Sequence, residues 1–201
     1  KSLIHKQIKT LRSSLDQLAT TNVQHVPPFG KLIEKIEEKI SSFSGDEITD
    51  AYLCAKWCYE HGYIQQGYTI LQESVVTAFC KLLQIDPFEQ DYRVRVSAAI
   101  HACLKAYSPE RRDQETKETD ENVLEEIYQK TYELAETYKE QIATFLKLTD
   151  RRNSLNHAGM NRNSPKKKAR LNTFKKDLEE LLQALQPFFT DVAKRVNNPQ
   201  Q

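Results

Sequence analysis

Apolar residues recur every three or four positions along most of this chain, the spacing that gives an α-helix one buried face. The first stripes predict helices over 4–18, 32–43 and 46–60, the last with Asp46 as its N-cap. Pro27-Pro28 separates the first two helices, since proline lacks the backbone N–H that a helix interior requires. Later stripes predict further helices over 63–85, 90–107, 121–148 and 171–188.

The helix predicted over 63–85 is apolar around most of its circumference, so we expect it to lie at the centre of the fold. No segment alternates apolar and polar residues as a half-buried strand would. Only five of the 201 residues are glycine and seven are proline, too few for an all-β fold with many tight turns. The sequence therefore predicts an all-α fold, a bundle of about six to eight helices.

The chain is expected to have two parts. Residues 1–45 are predicted to form N-terminal helices, an extension or a linker, and residues 46–195 the main helical domain. The chain starts at Lys1 rather than at methionine, so we expect a further N-terminal domain to precede it.

The bulk composition indicates a protein without a membrane span. No apolar run approaches the roughly 20 residues that cross a bilayer, and no secretory signal opens the chain. Four cysteines lie within predicted helices, which favours buried free thiols in a reducing cytoplasm. They are Cys54, Cys58, Cys80 and Cys103.

The net charge of +1 conceals an uneven distribution along the chain. Residues 110–126 include eight acidic side chains and three basic ones, and residues 108–120 are predicted to form an exposed loop. Residues 151–176 include nine Lys or Arg and no Asp or Glu. Such a basic segment is either a binding surface for a polyanion or a solvated face of the protein.

The basic segment opens with the motif Arg151-Arg152-Asn153-Ser154-Leu155-Asn156-His157. RNA cleavage without a metal uses the 2′-hydroxyl as nucleophile and needs a group that moves a proton and a cation that stabilises charge on the phosphate. We therefore interpret His157 as the proton-transfer group and Arg152 as the phosphate clamp. Asn153 would be a neutral donor that positions either of them.

Helix geometry places the two charged members of this motif on different faces. Arg152 and His157 lie about 140° apart around an ideal helix, whereas Asn153 and His157 share a face. Either the backbone is distorted near the arginine, or two copies of the motif meet across a twofold axis. We favour the second solution, a homodimer whose active site contains residues of both copies.

The pattern Arg152-Asn153-x3-His157, in an all-α chain, resembles the Arg-x4-6-His signature of HEPN ribonucleases. The stretch 62–73, Gly-Tyr-Ile-Gln-Gln-Gly-Tyr-Thr-Ile-Leu-Gln-Glu, resembles a helix of ancillary type III CRISPR-associated HEPN proteins. The resemblance covers about 48–189. It implies a HEPN-like domain that cleaves single-stranded RNA as a homodimer in antiviral defence, without a metal or other cofactor. Arg152, Asn153 and His157 carry over as its catalytic residues.

The resemblance also implies which partners to expect. Members of these CRISPR families usually carry an N-terminal sensor for cyclic oligoadenylate, so that activator would bind outside this chain. RNA is the expected substrate, and no membrane contact is expected. A set of basic residues contacts RNA phosphates, is a solvated helix start, or mimics a nuclear-import signal. The set comprises Lys166, Lys167, Lys168 and Arg170, with Arg151 as a further predicted RNA contact.

Cys54, Cys58 and His61 fall on one face of a predicted helix and could be read as metal ligands. The favoured interpretation is structural: the two thiols flank Trp57 as small apolar groups, and the imidazole sits at a helix end.

Polar side chains on the predicted central helix allow two interpretations. Glu73, with Gln65, Gln66 and Gln72, either holds Arg152 and the motif in place or forms a structural hydrogen-bond network. A second function class also stays open: a catalytically inactive helical module that dimerises or holds a partner, with Arg152 and His157 serving structure. A toxin whose antitoxin lies elsewhere would share the nuclease chemistry.

Overall fold

The structure is a computed structural model that describes residues 4–20, 27–107, 126–127, 129–131, 133–134, 137–156 and 171–198. These residues are helical with short connections and include no strand, which confirms the predicted all-α bundle. Described residues between 126 and 137 are helical and precede α6 in the chain. The helices with defined bounds are α1 Ile4–Thr20, α2 Pro27–Ile40, α3 Glu47–Glu60, α4 Ile64–Leu82, α5 Gln90–Tyr107, α6 Lys139–Asn156 and α7 Leu171–Asn197.

Local signals in the sequence set several helix ends. Pro27 begins α2. Backbone N–H groups in the first turn of a helix have no intrahelical acceptor, so proline, which lacks an N–H, costs the helix no hydrogen bond there. Asp46 accepts a hydrogen bond from the Thr49 N–H at 2.7 Å, which confirms the predicted N-cap of α3. Gly62, with φ of +79°, ends α3, and the following Tyr63 N–H donates to the Cys58 carbonyl at 2.8 Å. This turn leads directly into α4.

The predicted central position of the fourth helix is confirmed. α4 packs against α3, α5, α6 and α7, and its side chains are buried on several faces. Gly67 lets α3 and α7 come close to the backbone of α4. A Cβ at this position would lie 2.8 Å from Leu178 Cδ2 of α7 and 3.5 Å from the Ala55 carbonyl oxygen of α3. The fully buried side chains of α4 include Tyr68, Leu71, Val75 and Phe79.

α7 covers α3 and α4 with a continuous apolar stripe. The Tyr68 hydroxyl of α4 donates to the Phe174 carbonyl at 3.0 Å, and burial, assisted by the Asp177 carboxylate, raises the pKa of Tyr68. The phenol therefore stays a neutral donor, and this bond ties the start of α7 to the core. The stripe includes Leu178, Leu181, Leu185 and Phe188.

The first two helices pack against each other, and α1 also reaches α3. The Arg12 guanidinium of α1 donates to the Ile40 carbonyl at 3.0 Å and to the Phe43 carbonyl, both at the end of α2. The predicted division of the chain at residue 45 stays a prediction, and the predicted loop over 108–120 lies outside the described residues. Among the helices that are described, none combines the length and apolar character needed to cross a bilayer.

Candidate active site

The described part of the motif, residues 151–156, lies inside a helix rather than after one. Residues 151–156 form the last turns of α6, so the helix end predicted near residue 148 is wrong. Between Lys139 and Gly159 the sequence contains no proline or glycine that would end the helix. Because Leu155 packs against the core, its burial stabilises the helical backbone beyond Leu148. His157 itself lies outside the described residues.

Arg151 and Arg152 leave α6 in different directions, as neighbours roughly 100° apart around a helix must. Arg151 Nε lies 2.8 Å from Asp177 Oδ2 of α7, and its guanidinium lies 6.0 Å from the centre of the Phe174 ring. The contact is an ion pair without hydrogen-bond alignment, since that oxygen accepts no hydrogen bond from the described residues. Arg151 therefore holds α6 against α7.

Arg152 instead lines a cleft of about 360 Å³ between α4, α5 and α6. Its Nε atom is buried, with no hydrogen-bond partner among the described residues. Gln72 Oε1 is likewise buried and unpartnered there, on a residue only 7% exposed. Buried polar groups nearly always find partners, so these two unpaired atoms are a cost to stability that falls at this cleft. The other lining residues are Glu73, Val76, Gln90, Arg93, Val94 and Ser97.

The second arginine of the cleft is fully engaged by its neighbours. Arg93 donates to Glu73 Oε2 at 2.6 Å and to the Glu73 carbonyl at 3.0 Å. Its other terminal nitrogen donates to Thr77 Oγ1 and to the Pro87 carbonyl, each at 2.9 Å. Of the two arginines of the cleft, Arg93 is thus held by these bonds, whereas Arg152 Nε has no partner among the described residues.

The last residue of α6 is held by the start of α4. Gln65 Nε2 donates to Asn156 Oδ1 at 3.1 Å, one position before His157 in the chain. Of the polar α4 side chains that the sequence singled out, Gln65 thus contacts the motif, Glu73 holds Arg93, and Gln72 lines the cleft beside Arg152. One of these side chains, Gln65, therefore contacts the motif, while Gln72 and Glu73 lie at the cleft.

The remaining predicted site residues are placed as follows. Asn153 is exposed on α6, and the Ser154 hydroxyl next to it donates to the Asp150 carbonyl at 2.9 Å. The predicted RNA contacts Lys166, Lys167, Lys168 and Arg170 lie outside the described residues.

The three candidate metal ligands make ordinary structural contacts. Cys54 and Cys58 are free thiols, and burial raises the pKa of both. His61 Nδ1 donates to the Trp57 carbonyl at 2.9 Å, because a carbonyl can only accept. Within the described part of the chain, no group of three or more His, Cys, Asp or Glu side chains could hold a metal.

Comparisons with protein-family models, curated proteins and solved structures gave no match. Function is therefore argued from the residues themselves. Sequence reasoning missed Arg93, which shapes the cleft from α5. No local pattern marks it, because its partner Glu73 lies 20 positions earlier and meets it only in the folded chain.

Proposed function

We propose that this chain is a HEPN-type endoribonuclease that cleaves single-stranded RNA without a metal. Arg152 carries the proposal. Its guanidinium is partly buried, its Nε has no partner among the described residues, and it lines a cleft whose other arginine is engaged. Holding an arginine in this state costs stability, and such costs are concentrated at functional sites.

The chemistry assigns one role to each residue of the motif. The RNA 2′-oxygen attacks the adjacent phosphorus while the bond from phosphorus to the 5′-oxygen breaks, which leaves a 2′,3′-cyclic phosphate and a 5′-hydroxyl. Arg152 binds the non-bridging oxygens, where negative charge grows. His157 moves the proton taken from the 2′-hydroxyl or given to the leaving 5′-oxygen. Asn153 is a neutral donor beside them.

The active site would be shared between two copies of the chain. With α6 helical through Asn156, Arg152 lies towards α4 and α5 while Asn153 is exposed one position later. An i, i+4 relation would put His157 on the side of Asn153 rather than on that of Arg152. A twofold axis that brings the partner's His157 to the cleft of Arg152 would give each site an arginine from one copy and a histidine from the other.

Arg151 and the basic cluster at 166–170 keep the predicted role of RNA contacts. The electrostatic attraction between Arg151 and an RNA phosphate is weakened by the Asp177 carboxylate, because its Oδ2 lies 2.8 Å from Arg151 Nε. Action within a CRISPR-associated antiviral protein, in the cytoplasm and under a cyclic oligoadenylate sensor, belongs to the same proposal.

The deciding experiment compares variants on labelled single-stranded RNA in EDTA. We expect wild-type protein to give products with cyclic-phosphate ends, and Arg152→Ala and His157→Ala each to lose at least about 100-fold in rate. Arg195→Ala is the control, because it removes an arginine that pairs with Asp191 and lies roughly 27 Å further along α7 than Asp177 does. Equal cleavage by all four proteins would mean a contaminating nuclease and would end the proposal.

A non-enzymatic interaction module is the second candidate. The observation that favours it is a set of exposed apolar side chains on the first two helices: Leu11, Phe29 and Leu32. Under this reading the Arg152→Ala and His157→Ala variants change no activity. A charged substitution at Phe29 or Leu32 then abolishes partner binding in solution.

A further inference from the structure

Three rings form a near-parallel stack where α3 ends and α4 begins. The ring centroids of Trp57 and His61 are 4.0 Å apart at an interplanar angle of 20°. Those of Trp57 and Tyr63 are 5.9 Å apart at 14°. The turn at Gly62, with φ of +79°, brings Tyr63 back beside Trp57. Tyr63 is 52% exposed, so the stack presents aromatic surface to solvent.

Hydrogen bonds fix the imidazole of this aromatic stack. His61 donates through Nδ1 to the Trp57 carbonyl at 2.9 Å, so its Nε2 is the acceptor for Lys39 Nζ of α2 at 3.4 Å. The imidazole is thereby held flat against the indole by one residue of its own helix and one of another. A preorganised surface of this kind binds a flat ligand with little loss of side-chain entropy.

The surroundings of the stack are slightly basic. A concavity of about 510 Å³ beside it is lined by Trp57, His61 and four charged residues, namely Lys35, Glu38, Lys39 and Glu60. Lys56 Nζ lies 4.0 Å from Glu60 Oε1 and offsets that carboxylate. Two lysines and two glutamates therefore line the concavity, and Lys56 compensates one of the two carboxylates. A cationic ligand would meet the Lys39 ammonium at the edge of the imidazole, so a flat ligand with negative charge fits better.

The aromatic stack also adjoins the motif. Tyr63 lies two positions before Gln65, and Gln65 bonds Asn156 at the end of α6. A strand of RNA cleaved beside α6 therefore needs to extend only a short distance to reach the start of α4.

We propose that Trp57, His61 and Tyr63 form a base-stacking platform for single-stranded RNA, with Lys35 and Lys39 beside its phosphates. The choice of RNA as ligand rests on the proposed nuclease function. Every base has a π-face, so such a platform holds the strand without reading its sequence. The motif would then cut, while the platform holds a neighbouring part of the same strand.

The chain contains a single tryptophan, so tryptophan fluorescence reports on this platform directly. The test uses the full chain carrying Arg152→Ala and His157→Ala, so that RNA is not cut, titrated with an oligouridylate of about 12 nucleotides. We expect RNA to quench Trp57. Tyr63→Ala in that background should weaken binding about 5- to 150-fold, the measured range for one base–aromatic stack. Tyr63→Phe, which keeps the ring, should bind like its parent.

Two matched controls separate stacking from other effects. Phe88→Ala removes an exposed ring outside the platform and should leave binding unchanged. An abasic strand of equal length keeps the phosphates but should not quench Trp57; equal quenching would overturn the platform.

The outcomes also separate this proposal from the nuclease proposal. If a gel-shift assay shows that RNA binds but the fluorescence of Trp57 does not change, the platform proposal is overturned and the nuclease proposal stands. Quenching that depends on Tyr63, in a wild-type protein that cuts no RNA, supports the platform and ends the nuclease proposal. Absence of RNA binding by both the doubly substituted chain and the wild-type chain overturns both proposals.

Discussion

Arg151 and Arg152 are consecutive in sequence, yet their guanidinium groups belong to different parts of the structure. The first pairs with Asp177 of α7 at 2.8 Å, and the second lines the cleft formed with α4 and α5. One helical step therefore separates an arginine paired across two helices from one whose Nε has no partner among the described residues. The two should respond to mutation in opposite ways.

Arg151→Ala should lower the free energy of unfolding by about 1–2 kcal/mol, because it leaves the Asp177 carboxylate, 12% exposed, without its cation. Arg151 itself is 34% exposed, so solvent screening keeps the loss below that of a fully buried pair. Urea unfolding of wild type, Arg151→Ala, Asp177→Ala and the double variant gives the coupling energy between Arg151 and Asp177. Additive losses would mean that the pair contributes nothing.

Arg152→Met should leave the free energy of unfolding unchanged or raise it by up to about 1 kcal/mol, since it removes a buried donor that has no partner and keeps the aliphatic stem. The same variant should lose RNA cleavage. Urea unfolding and the RNA assay, run on one preparation, measure both effects. A destabilisation as large as that of Arg151→Ala would assign Arg152 to the fold instead.

Gln65→Ala should loosen the end of α6, because it removes the 3.1 Å hydrogen bond to Asn156. The loss of stability should stay below about 1 kcal/mol, since the bond is exposed to solvent. Amide hydrogen exchange at Leu155 and Asn156 should become faster, and RNA cleavage slower. Gln66→Ala, at the neighbouring exposed position, is the control. Unchanged exchange in Gln65→Ala would show that the bond does not order the motif.

Gly67→Ala should destabilise the protein by about 1 kcal/mol, because overpacking against the fully buried Leu178 outweighs the better helix propensity of alanine. Gly30→Ala is the control: nothing lies within 4 Å of a Cβ there, so the same change within α2 should stabilise. Thermal unfolding compares them. In the background Leu178→Ala, which makes room for the methyl group, Gly67→Ala should no longer destabilise.

Asp46 should make stability depend on pH in the acid range. Burial alone opposes its ionisation, but hydrogen bonds from Asn197 and Thr49 outweigh that effect and place the pKa below the ordinary value of 3.8. A lowered pKa in the folded state gives stability that is present above the unfolded value and lost as pH falls through the folded value. The difference in urea unfolding between wild type and Asp46→Asn should therefore shrink between about pH 5 and pH 3. Asparagine can still cap Thr49, so a constant difference would exclude this titration.

Helix positions were largely predictable because their signals are local. The stripe over 63–85 predicted a central helix, the spacing over 90–107 matched α5, and Asp46 and Gly62 marked the ends of α3. The end of α6 was not predictable in this way. The apolar stripe fades after Leu148, but no stop signal follows until Gly159, and the contact of Leu155 with the core decides that the helix continues.

The sequence alone determined the all-α class and the residue types of the motif, because helical periodicity and side-chain chemistry depend only on residues close together in the chain. Only the tertiary structure decided what each motif residue touches. Asp177 lies 26 positions after Arg151, and Gln72 lies 80 positions before Arg152. The ion pair of Arg151 and the shared cleft of Gln72 and Arg152 both arise from the packing of α4, α6 and α7. A roughly 100° step around α6 then gives the two adjacent arginines different neighbours.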